Sequence, residues 1–539
     1  MRGNKINIIT GVMALVLALC CFFTACEGPA GPAGKKGADG PSSPTYLLVF
    51  RANGGIFEDG TDTFMLFSRG GTVTPPQVSR QSLTLDGWYT QESGGNAFNF
   101  SATVTGNHVL YALWSYNGAS VSEIREYLLT SPSGLSPYDP LRLAASIDLG
   151  TTAEKDSGWR QLLEVIQASG KYIDLDLSGS TMDGTEFDPV YGLVAGKTRI
   201  YSLVLPDVAE SIKESDSNSF SEFSNLKACG GANIMSIGYY AFQGCTSLTS
   251  LDFPALEIID EGVFSGCTAL TSVSFPLVTS LGGYAFGNCT ALTSASFPLA
   301  EDINNSAFNS CNKLVGAEFP VAQSIGNNAF EGCSSLTNVN FPEVKSVGQY
   351  GFRDCYALVS IDMPLLEDIG FNGFMSCTSL DNLYLPSLKN AGSGTGSGQA
   401  FSGCTSLTSA NLPSLINLYS SAFYNCSALT SVYMPKVEYI DGSFALGSNL
   451  PLTITMGASA PTVGIIMFFY TSSKTVTVKV PVGATGYAAS LPFNVSGADL
   501  TPNWGNAFRG LGWNPTDGYG TNTGNINTSI TLRIEEYTE

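Results

Sequence analysis

The sequence predicts a mainly β protein with short helical turns, built as a stacked solenoid. Three observations carry this. Cysteines recur every 22 residues at 245, 267, 289, 311, 333, 355 and 377, then at 404 after five added residues around Gly392–Gly396, and at 426. Around each Cys a Phe stands three before, a Leu three after and a Pro nine after, as in Phe242, Leu248 and Pro254. Within one unit, Leu251 and Phe253 alternate along a short run that Pro254 ends, the signature of a brief strand.

In chain order, residues 1–25 read as a lipoprotein signal peptide. Arg2 and Lys5 give a positive start, and Ile6 to Phe23 is an apolar run long enough to span a bilayer. Phe23-Thr24-Ala25-Cys26 follows, then Glu27-Gly28-Pro29. This resembles the lipobox of bacterial lipoproteins, with Phe23 in place of the usual Leu, and makes Cys26 the candidate lipidation site. An uncleaved signal anchor is the alternative. Lipidation implies export and anchoring to the bacterial membrane, at the outer membrane or cell surface, with the lipid as the only membrane contact; two or three acyl chains hold stably. Residues 26–45 place Gly at 28, 31, 34, 37 and 40, a collagen-like pattern. Five triplets are few for a triple helix, so an extended spacer rising ~3 Å per residue is expected, with a short trimerising stub as the alternative.

Residues 46–116 form a small domain of strands and turns. Phe50, Asn53-Gly54-Gly55, Gly87-Trp88-Tyr89, Phe100 and Leu110-Tyr111-Ala112-Leu113-Trp114 together resemble the Listeria–Bacteroides repeat of bacterial surface proteins. That resemblance implies a β-grasp-like module, a spacer or interaction unit without chemistry. His108 is the only histidine, so Ser–His or Cys–His pairs and imidazole metal clusters have little support. Glu58-Asp59-Gly60-Thr61-Asp62 lacks the ligand spacing of a calcium loop and reads as a solvated turn. Residues 117–200 are expected to cap the solenoid, with helical spacing at Val121–Leu129 and Trp159–Ala168 and a strand at Tyr172–Leu177. Asp174 and Asp176 share the polar face of that strand; a carboxylate pair is capable of acid–base work, but a polar strand face is the expectation.

The solenoid occupies residues 201–451 in about ten units. A period of 22 falls in the leucine-rich-repeat range. Leu251, Phe253, Leu256, Ile259, Phe264 and Cys267 point inward in one unit, and a single unit cannot bury them without neighbours. The motif Gly-x-x-Ala-Phe-x-x-Cys-x-x-Leu-x-x-Leu-x-Phe/Leu-Pro, seen in Ile237–Cys245 and Ile325–Cys333, resembles the BspA-type leucine-rich repeat. Residues 452–539 read as a β-rich C-terminal cap, in which Val476–Pro481 resembles the closing units of that family. The layout of lipobox, spacer and array is similar to treponemal surface lipoproteins. The resemblance implies adhesion or host interaction.

The nine column cysteines invite a redox or metal reading that geometry opposes. In-register side chains sit near the rung spacing and point the same way, whereas a disulfide wants closer Cβ atoms and zinc wants convergence. In the first unit Phe223 fills the Cys slot, so the slot reads as apolar packing.

Composition narrows the function. Charged residues make up 13% of the chain, against ~25% typically, and the net charge is −20. A phosphate backbone or an anionic lipid surface would be repelled, so nucleic acid is not an expected partner. No nucleophile–base pair, phosphate loop or metal spacing appears; neither an enzyme nor a cofactor is expected. The expected outward strand column reads Asp252, Ser274, Ser296, Glu318, Asn340, Asp362, Tyr384, Asn411 and Tyr433. Asp252, Glu318, Asp362, Tyr384 and Tyr433 are the candidate contacts for an extracellular protein or glycan, from host matrix or other bacteria, with the tyrosines as anchors. A merely solvated face, on a coat or spacer protein without specific ligand, is the competing expectation.

Overall fold

The computed structural model describes residues 45–537 apart from internal stretches, of which 190–195, 215–218, 442–449, 464–474 and 485–530 are the longest. The signal segment, Cys26 and the Gly-Pro spacer lie outside the described residues. The described chain separates into two compact units. One ends at Val78 and takes in Trp88–Ala112; the other holds Ser79–Gly87 and the chain from Leu113 onward.

In the first unit, Tyr46–Arg51 pairs antiparallel with Thr63–Ser68 and parallel with the start of the strand His108–Gly118. Leu48 and Phe50 are fully buried. Phe50 meets Trp88 edge-on at 4.9 Å, and Trp88 stacks on Phe57 at 5.9 Å, so aromatic rings supply this core. His108 opens its strand and packs against the Phe98 ring at 5.0 Å. In the acidic turn, Asp59 Oδ1 accepts from the Thr61 N–H at 2.9 Å and from its hydroxyl at 2.6 Å. These bonds hold the Asp59 carboxyl below its ordinary range, and the loop closes on itself.

The second unit begins with two capped helices. Ser120 accepts the Glu123 N–H ahead of helix Val121–Thr130. Ser157 accepts the Arg160 N–H ahead of helix Gly158–Ser169, which Gly170 stops at φ 69°. The second helix buries Trp159, Leu162, Leu163, Val165 and Ile166. It is the crossover between the parallel strands Leu141–Ala145 and Ile173–Asp176. Ile200–Val204 and Ala228–Gly230 extend that sheet in parallel, carrying its register into the repeats. Asp174 accepts the Ser202 hydroxyl at 2.9 Å, and burial pushes its carboxyl up; Asp176 accepts the Ser178 N–H at 2.9 Å. Both acids are engaged by neighbouring strand and turn.

Each repeat contributes two short strands. The first ladder is made of three-residue strands such as Ser272–Ser274, Ser294–Ser296 and Gly316–Glu318, paired in parallel one repeat apart. The middle residue of each points inward and its two neighbours outward: Val273, Ala295, Val339, Leu383 and Val432 are buried between flanking polar residues. A second ladder of two-residue strands, including Ser236–Ile237, Ile258–Ile259 and Ser280–Leu281, was not expected from the sequence.

The return segment through Phe264 and Cys267 consists of successive turns rather than helix. The reason is conformational. The residue five before each Cys takes positive φ, as at Tyr240 (57°), Tyr284 (55°) and Asn328 (59°), and so does the residue just before it, as at Gly244 (73°), Asn288 (60°) and Asp354 (62°). Two left-handed residues per turn stop a right-handed helix. Backbone groups released this way bond to the next rung: the Phe264 N–H donates to the Ala285 carbonyl at 2.8 Å, and the Gly266 N–H to Gly287 at 2.7 Å. The turns therefore add a third column of rung-to-rung bonds.

Inside, like residues stack on like. Phe308 lies on Phe330 at 5.4 Å with planes 6° apart, and Phe330 on Phe352 at 5.1 Å. The column runs from Phe220 to Phe423, every ring fully buried. All ten described cysteines are free and buried.

Candidate binding surface

Pro254 and its counterparts end each first-ladder strand, so only three residues per rung are extended and two of them face solvent. Asp252, Glu318, Asp362, Tyr384 and Tyr433 all lie on this outward face and are exposed. Tyr384 keeps 63% of its surface exposed and Tyr433 39%.

The ladder distributes these five residues unequally. Its hydrogen bonding is interrupted, so Asp252 closes the sheet that comes from the cap, Glu318 ends a three-stranded group and Asp362 ends a two-stranded one. Tyr384 and Tyr433 alone among the five share one sheet, of six strands beginning at Asn382–Tyr384. In that sheet Tyr384 pairs with Asn411 and Asn411 with Tyr433. Asn411 therefore belongs between the two candidate anchors.

The sequence reading left a second outward column unmarked: Ser250, Ser272, Ser294, Gly316, Asn338, Ser360, Asn382, Ser409 and Ser431. A period of two predicts it, since both neighbours of an inward residue face out. Its side chains bond along the axis. The Ser360 hydroxyl donates to Asn338 Oδ1 at 2.8 Å, and Ser409 to Asn382 Oδ1 at 2.7 Å. In the other column the Ser296 hydroxyl donates to Glu318 Oε2 at 2.9 Å. Where inward and outward residues are both small, at Ala295, Gly316 and Ala317, the face dips into an open depression of about 440 Å³ rimmed by Ser272, Ser274 and Glu318.

The cysteines are not part of this face. Among the described residues no group of three or more His, Cys, Asp or Glu side chains is placed to hold a metal ion. No helix among them is long and apolar enough to cross a membrane.

Parallel rungs, buried Leu and Phe columns and a polar strand face together define a leucine-rich-repeat solenoid. Residues 195–315, 301–395 and 397–489 match the BspA type leucine rich repeat region in six copies, and residues 46–113 match the Listeria-Bacteroides repeat domain. The chain belongs to the BspA type leucine rich repeat family. Among solved structures it is similar to a leucine-rich repeat protein of Bacteroides ovatus, with 19% identity over 52% of this chain and 87% of that one, at a TM-score of 0.37. It is similar to the leucine rich repeat protein of T. pallidum, with 22% identity over 33% of this chain and 78% of that one, at 0.25. The pneumococcal vaccine antigen PcpA shares 18% identity over 52% of this chain and 82% of its own, at 0.32. No curated protein matches the chain.

Proposed function

We propose that this chain is a lipid-anchored surface protein, tethered through Cys26, that binds extracellular protein or glycan on the outward face of the first strand ladder. The observation that carries the reading is the double column of side chains held outward in register, while the strand residue between them is buried or half-buried against the core. A preorganised flat face loses little freedom on binding, and exposed tyrosines are good anchors. Membership of the BspA type family and the Phe23–Cys26 lipobox support surface display.

The test is adhesion by bacteria displaying the full chain. Cells carrying the Tyr384→Ala/Tyr433→Ala double variant should adhere less to host extracellular material than cells carrying the unaltered protein at equal display. Cys26→Ala should release the chain from the membrane fraction. Equal adhesion by the unaltered protein, by the double variant and by cells lacking the protein would leave it a spacer or coat.

A further inference from the structure

This inference rests on the reading of the strand face as a binding surface and names its ligand class. We propose that the segment carrying Tyr384, Asn411 and Tyr433 takes a neutral, extended chain of β-1,4-linked hexoses laid along the solenoid axis.

Spacing is the first argument. Tyr384, Asn411 and Tyr433 are direct partners on successive strands of one sheet. The two phenol rings are thus separated by two rungs, about 9.6 Å at the usual strand spacing. In an extended β-1,4-linked chain each pyranose is turned over relative to the last, so every second ring presents the same C–H face. That repeat is two rings long and matches two rungs. Each tyrosine offers a flat, polarisable surface to one such face.

Polar chemistry is the second argument. Asn411 sits under the intervening ring, where hydroxyls project from the ring edge. Its exposed amide has no hydrogen-bond partner among the described residues and offers both donors and an acceptor. In the adjacent column the oxygen of Asn382 accepts the Ser409 hydroxyl at 2.7 Å, which fixes the amide and leaves its NH2 to donate. Both outward columns are uncharged from Asn382 to Tyr433: Asn382, Tyr384, Ser409, Asn411, Ser431 and Tyr433. On a chain of net charge −20 this segment suits a neutral ligand. The platform is also rigid, because Leu383, Ala410 and Val432 beneath it are buried.

The experiment titrates the full chain with cellohexaose and cellobiose by calorimetry, beside a deglycosylated host matrix protein. Cellohexaose should bind, and cellobiose, too short to cover both rings, should bind more weakly. Tyr384→Ala and Tyr433→Ala should each weaken cellohexaose about tenfold, the scale of one lost ring contact. Tyr→Phe at either position should retain most of the binding, and raised salt should leave it unchanged. Because both tyrosines are exposed, unaltered denaturation midpoints will confirm that the variants are folded. If no cellohexaose binds while the matrix protein does so through the tyrosines, the ligand class is overturned and the binding face stands. If neither binds and adhesion is unchanged, the binding face itself is overturned.

Discussion

The Cys333 thiol donates to the Phe308 carbonyl of the preceding rung across 3.2 Å. That carbonyl also accepts the Cys311 N–H at 3.1 Å, so the thiol occupies its second lone pair. Cys267, Cys289, Cys311, Cys355, Cys377, Cys404 and Cys426 repeat the contact. The slot is thus more than apolar filling: it asks for a small side chain that donates weakly. Cys333→Ala removes the donor and opens a small void, and should cost about 1–2 kcal/mol in urea unfolding. Cys333→Ser keeps a donor of similar size and should cost less. Alanine better tolerated than serine would mean that the bond contributes nothing.

The same burial predicts alkaline sensitivity. It pushes the Cys333 thiol from 9.0 up to about 12. Cys267, Cys289, Cys311, Cys355, Cys377 and Cys426 shift in the same direction, also chiefly through burial. The folded state therefore holds these protons more tightly than the unfolded chain. Their contribution is complete below pH 9 and is lost as pH rises above it, for Cys333 over the range up to about 12. Each thiol adds a slope of about 1.4 kcal/mol per pH unit within that window. The denaturant midpoint should fall steeply above pH 9, and less steeply in a Cys289→Ser/Cys333→Ser/Cys355→Ser variant. Parallel curves for the two proteins would rule out the thiols as the cause.

How much of this could be read beforehand follows from element length and side-chain size. The Cys, Phe, Leu and Pro columns were legible because each repeats in the sequence and each has one physical job. The strand Ser250–Asp252 was legible through Pro254 and the alternation before it. The second ladder was not, since a strand as short as Ile258–Ile259 leaves no alternation to detect. The turns were hidden for another reason. Their left-handed positions hold Tyr240, Tyr284 and Ser306 as well as glycine, so residue type does not announce the backbone. Asn411 stood in the expected outward column without being marked as a contact, because its relevance lies in sharing one hydrogen-bonded sheet with Tyr384 and Tyr433, and pairing across strands is a property of the fold.

The cap should be intolerant at Gly158. A Cβ there would stand 2.0 Å from the Asp148 carbonyl oxygen, a backbone atom with no freedom to swing aside. Gly158 opens the helix that buries Trp159, whose ring packs on Phe187 at 5.5 Å. Gly158→Ala should destabilise the chain by about 1–3 kcal/mol despite alanine's better helix propensity. By contrast, Gly170→Ala meets nothing within 4 Å and carries only the strain of a left-handed alanine at φ 69°. Proteolysis near residues 150–170 compared between the two variants will separate a clash from a propensity effect.

A break in the Phe column should do more than weaken the fold. Phe330 stacks on Phe308 at 5.4 Å and on Phe352 at 5.1 Å, and also touches Phe341 at 5.9 Å. Phe330→Ala removes contacts to both neighbouring rungs at once and should cost about 3–5 kcal/mol. In a solenoid each rung is stabilised by its neighbours, so cooperativity along the array depends on these interfaces. A mid-array cavity weakens the coupling on both sides of one rung without touching the rungs beyond. The unaltered array should unfold in one denaturant transition, and Phe330→Ala in two, with hydrogen exchange faster around residues 324–340 before the rungs on either side open. Ile325→Val, nearby and equally buried, is the control: it trims one methylene, should cost about 0.5–1.5 kcal/mol and should leave a single transition. A single transition shifted as a whole in Phe330→Ala would show that the hydrogen-bonded ladders, and not the ring stack, hold the rungs together.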